Sequence, residues 1–208
     1  MTAILKVDTI QDTAGNNIIN ESSNTITIGA SGDTISIPSG ATITNSGTAN
    51  NFGGGKIGQV LQAVKLDTQA TTANNSWSDV SGLSIAITPA ATSSKILVLF
   101  NVNISPNTDN HAGIKVVRAS TSIFIGNSGS GTRDCFSAIR NDAHAQYGLT
   151  NMAGQFLDSP SSTSAVTYKI QGNGNADYYI NRPLSDSGTT TIQRPRGASS
   201  ITVMEVLA

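Results

Sequence analysis

The sequence predicts an all-β protein: an N-terminal β-hairpin, an intertwined triple-stranded β shaft and a C-terminal antiparallel β-sandwich or jelly-roll head, assembled as a homotrimer. Three observations carry this. Ser, Thr, Asn and Gly supply 89 of the 208 residues, a mixture in which Asn, Ser and Gly favour turns and Thr, with Ile and Val, favours strands. Charged residues are only 12% of the chain, about half of the usual quarter or so, whereas disordered chains carry more charge and fewer β-branched residues. Apolar residues recur at alternate positions in short runs, with no heptad and no long 3.6-residue period.

Three regions differ in texture. In 1–23, the run Ile4-Leu5-Lys6-Val7-Asp8-Thr9-Ile10 precedes the turn-rich Asp12-Thr13-Ala14-Gly15-Asn16 and the apolar pair Ile18-Ile19, a hairpin pattern. In 24–55, Thr25-Ile26-Thr27-Ile28, Thr34-Ile35-Ser36-Ile37 and Thr42-Ile43-Thr44-Asn45 are each followed by a Gly-bearing turn, giving units of eight or nine residues. Each unit offers one or two isoleucines. One chain cannot thereby offset the roughly 1–2 kcal/mol per residue of backbone entropy lost on ordering, but three chains sharing an axis can. Ile26, Ile28, Ile35, Ile37 and Ile43 are the expected shaft core. A flexible Ser/Gly/Asn linker is the alternative, and 50–55, with three consecutive glycines, reads as a joint.

The region 56–208 is long enough for a domain of its own. Strand-like runs are expected at 59–66, 80–88, 95–104, 114–119, 121–125, 133–139, 149–157, 166–172, 177–180 and 200–207. Lys95-Ile96-Leu97-Val98-Leu99-Phe100 is nearly continuously apolar and predicts a central strand buried on both faces. Ten short strands with frequent turns imply a sandwich or jelly roll.

The same residues exclude several functions. A formal net charge of -1 argues against nucleic acid as a partner. No apolar run approaches the roughly 20 residues of a membrane span, and the first ten residues carry no signal-peptide pattern. Synthesis in a cytoplasm is therefore expected. Cys135, the sole cysteine, allows no intrachain disulfide and reads as a small buried residue. His111 and His144 have no metal-ligand spacing, Asp134 and Asp142 read as solvated, and glutamates number two, Glu21 and Glu205. Gly53-Gly54-Gly55-Lys56 lacks the spacing and hydroxyl residue of a phosphate loop. No enzyme activity, metal or cofactor is expected.

The segment from Val7-Asp8-Thr9-Ile10 to Asn17-Ile18, the Thr-Ile-Ser-Ile units, Gly58-Gln59-Val60-Leu61-Gln62, Ser93-Ser94-Lys95-Ile96-Leu97-Val98 and the closing Ser200-Ile201-Thr202-Val203-Met204-Glu205 together resemble tail-fibre-like proteins of bacteriophages, particularly of marine phages. The resemblance implies a virion location in the tail, a homotrimer, and attachment of the N terminus, with Leu5, Val7 and Ile10, to other tail or baseplate proteins. It implies a head directed at the host. A purely structural connector, collar or decoration fibre, and a fibre-borne polysaccharide hydrolase, are the competing readings.

If ten strands alternate up and down, the connections at 67–79, 105–113, 126–132, 158–165 and 181–198 share the far end of the head. Asn107, Asp109, His111, Arg182, Arg194 and Arg196 then form the expected receptor site, since arginine grips carboxylate or phosphate and Asn and Asp suit sugar hydroxyls. The expected ligand is a host cell-surface glycan, held weakly and reinforced by avidity. Trp77 is a candidate sugar platform, though more often an anchor of this kind is packed. Of Tyr178 and Tyr179, at most one faces solvent.

Overall fold

The computed structural model describes residues 9–15, 17–23, 25–29, 31–41, 57–72, 75–129, 131–141, 147–188, 192 and 194–207. The chain divides into two compact units, Met1–Asn50 and Asn51–Ala208. All regular structure among the described residues is β.

The first unit is an antiparallel meander of β1 (Thr9–Gln11), β2 (Asn17–Ser22) and β3 (Thr25–Ile28). Its first turn is closed by Asp12, whose carboxylate accepts from the Ala14 N–H and whose carbonyl accepts from Gly15. Gly15 has φ +87°, which glycine adopts without strain. The expected hairpin is present, with Ile10 opposite Ile19. Thr25–Ile28, expected as the first shaft rung, is instead its third strand, because the two-residue turn after Ser22 returns Ile28 to Ile19. Residues 34–37 belong to no strand. Leu5, Val7 and Ile43 lie outside the described residues. Three strands make no closed core: Ile26 is 69% exposed and Ile35 59%, with Ile28, Ile37 and Ile10 also open.

The second unit holds β4 (Ile57–Lys65), β5 (Gln69–Thr71), β6 (Ser78–Ile87), β7 (Lys95–Pro106), β8 (His111–Arg118), β9 (Thr121–Ile123), β10 (Ala138–Asn141), β11 (Thr150–Asp158), β12 (Val166–Gly174), β13 (Tyr178–Ile180) and β14 (Ser199–Val206). One sheet runs β4-β14-β7-β13-β5 with β11 on the free side of β7; the other runs β10-β8-β12-β6 with β9 on β8. Every pairing is antiparallel. β9 and β10 pair with successive stretches of β8, so they share one lane, interrupted by residues 124–137. β13 and β14 likewise share one lane along β7, interrupted by 182–198. β4 and β5 share a third such lane, pairing with β14 and β13 in turn, so that, counted as eight lanes, the sheets read 1-8-3-6 and 2-7-4-5, the double Greek key of a jelly roll.

Inward positions follow period two. Ile96, Val98, Phe100, Val102 and Ile104 of β7 and Ile201 and Val203 of β14 meet Val80, Leu83, Ile114, Val116, Tyr168 and Ile170 from the opposite sheet. The expectation that β7 is buried on both faces is not met: its even-numbered residues are buried, while Leu97 and Leu99 point outward and stay half-exposed. Cys135 is half-buried in the 124–137 segment rather than in a strand. The expected strand at 133–139 begins only at Ala138.

Two of the ten expected strands are thus continuations of a lane, and this moves the loops. The far end, opposite the start of β4, carries 75–77, 107–110, 147–149 and 175–177 among the described residues. Residues 159–165 lie at the near end, because Asp158 pairs with Ile96 at the beginning of β7. The described residues of 126–132 and of 182–198 leave their lanes part-way along β8 and β7.

A candidate ligand cup at the far end of the sandwich

His111 opens β8 at the far end, after a turn held by asparagines. The Thr108 N–H donates to Asn107 Oδ1 at 2.7 Å, Asn110 donates its amide to the Thr108 carbonyl at 2.6 Å, and Asp109 sits at φ 58°, a region Asn and Asp tolerate. Asn175, just past β12, latches this turn to its neighbour. Its Oδ1 accepts from the His111 N–H at 2.7 Å, and its Nδ2 donates to Asn110 Oδ1 at 2.9 Å. The Asn107 N–H donates to the Asp177 carbonyl at 2.8 Å. These bonds fix the far-end backbone before any ligand arrives.

Beside this latch, on the outer face of the five-stranded sheet, is a cavity of about 180 Å³ lined by Asn75, His111, Asp134, Phe136, Asn173 and Asn175, among others. Asn173 is 2% exposed, and its carboxamide oxygen has no hydrogen-bond partner among the described residues. A buried unpartnered acceptor costs about 1–3 kcal/mol, which a donor from a bound molecule or an ordered water removes. Phe136 forms the apolar wall. It lies directly over Gly113, where an added Cβ would come within 2.3 Å of its ring, so only glycine lets it seat. Gly174 is held similarly between the carbonyls of Ala176 and His111.

Trp77 supports this wall. Its ring lies 5.0 Å from Phe136, and Lys115 Nζ sits 4.1 Å above it. Burial holds the Lys115 amine below its ordinary pKa, and the Asp134 carboxylate partly opposes this. Trp77 therefore anchors the cup rather than offering a bare face. Tyr178 is buried and bonded to Ser78 Oγ at 2.8 Å, while Tyr179 turns outward under the Arg182 guanidinium, 4.1 Å from its ring.

The structure divides the expected site residues. Asn107, Asp109 and His111 come together at the far end. Arg182, Arg194 and Arg196 come together between β13 and β14 around internal partners, with Arg194 reaching Tyr147 of the connection before β11. Arg196 binds both oxygens of Asp186 at 2.6 and 2.8 Å, Arg182 lies 3.8 Å from Asp186, and Arg194 contacts Ser185 Oγ and the Tyr147 ring. These contacts set two guanidinium groups, those of Arg182 and Arg196, around one carboxylate, Asp186. His144 and Asp142 lie outside the described residues. Asn75, Asp134, Phe136, Asn173 and Asn175 were not legible as site residues, since the cup draws on four separate chain segments and no sequence spacing links them. Among the described residues no group of three or more His, Cys, Asp or Glu side chains is placed to hold a metal.

No protein-family model and no curated protein matches the chain. Among solved structures, a chain described as "Structure of infectious bursal disease virus Gx strain" is similar at a TM-score of 0.37 and 9% identity, over 84% of this chain and 44% of that chain. At that score the likeness carries no functional meaning.

Proposed function

We propose that this chain is a non-enzymatic virion protein, a homotrimeric bacteriophage tail fibre whose N-terminal unit attaches to the tail and whose jelly-roll head recognises a neutral glycan on the host surface. The reading is carried by the isoleucines of the first unit. Ile26, Ile28, Ile35 and Ile37 recur regularly yet remain open to solvent in a single chain, and covering each contributes about 1.5–3 kcal/mol. Two further copies of the same repeat supply that cover with matching spacing. Phage and tail come from the sequence resemblance.

The far-end cup supports recognition. At about 180 Å³ it is smaller than the roughly 300–1,000 Å³ clefts of drug-sized ligands and suits a single sugar ring. The Asn173 oxygen would take a sugar hydroxyl, and Phe136 would face the apolar side of the ring. The mass in solution tests the assembly: three copies of 21.4 kDa are expected, and a stable monomer would sink it. Adsorption tests the cup. The Asn173→Leu trimer should lose most host binding while keeping its melting temperature, and unchanged adsorption would remove the cup as the receptor site.

A further inference from the structure

We infer that the outer face of the six-stranded sheet is where the heads of this protein pack on one another, its occupant being the same face of a second copy of the chain. This rests on the trimer proposed above and adds the surface that closes it.

The four long strands of that sheet, β4, β7, β11 and β14, contain four ionisable side chains: Lys65, Lys95, Asp158 and Glu205. Three of them point into the sandwich and are no more than 5% exposed. Lys65 Nζ reaches Asp67 at 3.0 Å, Asp158 receives Arg118 at 2.8 Å and the Tyr168 hydroxyl at 2.6 Å, and Glu205 receives the Ala90 N–H at 2.6 Å and Gln59 at 2.7 Å. Lys95 alone points outward, at the near-end margin. A sheet facing water does the reverse, burying aliphatics and exposing charge.

What faces outward is uncharged and arranged in rows across four strands. Val60, Met204, Leu97 and Leu157 are mutual cross-strand partners and make one aliphatic row. Val60 is 55% exposed and Leu157 46%. The next row is Gln62, Thr202, Leu99 and Gln155, bearing donors and acceptors in equal measure. Leu97 and Leu99 are the residues that made β7 read as buried on both faces, and a second copy restores that burial.

Charge selects the occupant. A face whose one ionisable group, Lys95, stands at its margin offers little to an acidic or basic partner, yet meets its own copy without like charges in apposition across its rows. The four strands span about 400 Å² at ordinary strand spacing, half of the roughly 800 Å² per partner of a stable stand-alone interface. The face therefore fits copies already joined through their first units. Around a threefold axis along the strands, each row becomes one layer.

The test uses the full chain with Cys135→Ser and one new thiol, Leu99→Cys on this face or Gln171→Cys on the outer face of the other sheet. In the trimer, Leu99→Cys should react with a monofunctional maleimide at least tenfold more slowly than Gln171→Cys, and a short bismaleimide should link chains only through Leu99→Cys. Thr202→Glu should lower trimer melting by about 5 °C, with Ala86→Glu, exposed on the other sheet, near neutral. A trimer in which Leu99→Cys labels as fast as Gln171→Cys, or crosslinks only through Gln171→Cys, overturns this interface and leaves the trimer standing. A monomeric parent chain overturns both.

Discussion

The outer faces of the two sheets of the head solve the same problem in opposite ways. The five-stranded sheet wears its charges: Asp79 pairs with Lys169 at 2.9 Å and accepts from Gln171 at 2.7 Å, and Lys115 lies over Trp77. The six-stranded sheet hides its charges inside the sandwich and shows Val60, Leu97, Leu99 and Leu157 to solvent. The first face is covered by its own chain where Phe136 lies over Gly113 and lines the cup with Asn173. The second has no such cover among the described residues. A face finished by its own chain can host a small ligand in what its cover leaves open, whereas a bare neutral face calls for another copy.

The cover of the five-stranded sheet is the place to break this contrast most severely. Gly113→Val should drive Phe136 off its seat and cost about 2–3 kcal/mol, read as melting lowered by roughly 5–10 °C. Gly126→Ala, with nothing within 4 Å of the new Cβ, should stay within about 0.5 kcal/mol. Equal effects would show that the 124–137 segment does not pack as described.

The inward charges of the other sheet come next. Burial raises the Glu205 pKa, but hydrogen bonds from the Ala90 N–H and from Gln59 outweigh it and hold the carboxyl below its ordinary value. Its contribution is therefore present above about pH 4.5 and lost as pH falls through the lower, folded value. Glu205→Gln should cost about 1–3 kcal/mol at pH 7 and flatten the decline of melting temperature between pH 5 and pH 3. An unchanged acid limb would mean that another carboxylate governs it.

Trp77→Ala should remove the tilted ring contact with Phe136 and the Lys115 contact, about 1–2 kcal/mol together, and weaken sugar binding by loosening the Phe136 wall. Thermal melts and glycan titration read the two effects separately. The smallest effect is expected from Asp79→Asn, where an exposed pair with Lys169 contributes about 0–1 kcal/mol. A larger loss, measured by chemical denaturation, would mean that the charged face is also an interface.

Much of the head was legible because strand identity is a local property. Alternation in Ser84-Ile85-Ala86-Ile87 and the apolar run from Ile96 mark β6 and β7 without reference to the rest of the chain. Lanes were not legible. Nothing in the 121–125 and 133–139 runs reveals that β9 and β10 lie end to end along β8, since a lane is set by hydrogen bonds to a partner strand remote in sequence. That error put 158–165 at the wrong end. The far-end position of His111 was legible from early strands counted correctly, but its neighbours Asn173 and Asp134 were not, being brought beside it by pairing and by the 124–137 segment.

The sequence by itself determined the β class, the hairpin, the inward face of the strands that alternate, such as β6, and the scarcity of charge, all of which follow from composition and from side-chain chemistry at period two. Only the tertiary structure decided which sheet buries its carboxylates, which arginines neutralise themselves on Asp186, and where an unpartnered asparagine is left facing a cup. Those outcomes depend on which remote strands come to lie side by side, and a chain whose many turns are equally permissive does not encode that choice in any one stretch of residues.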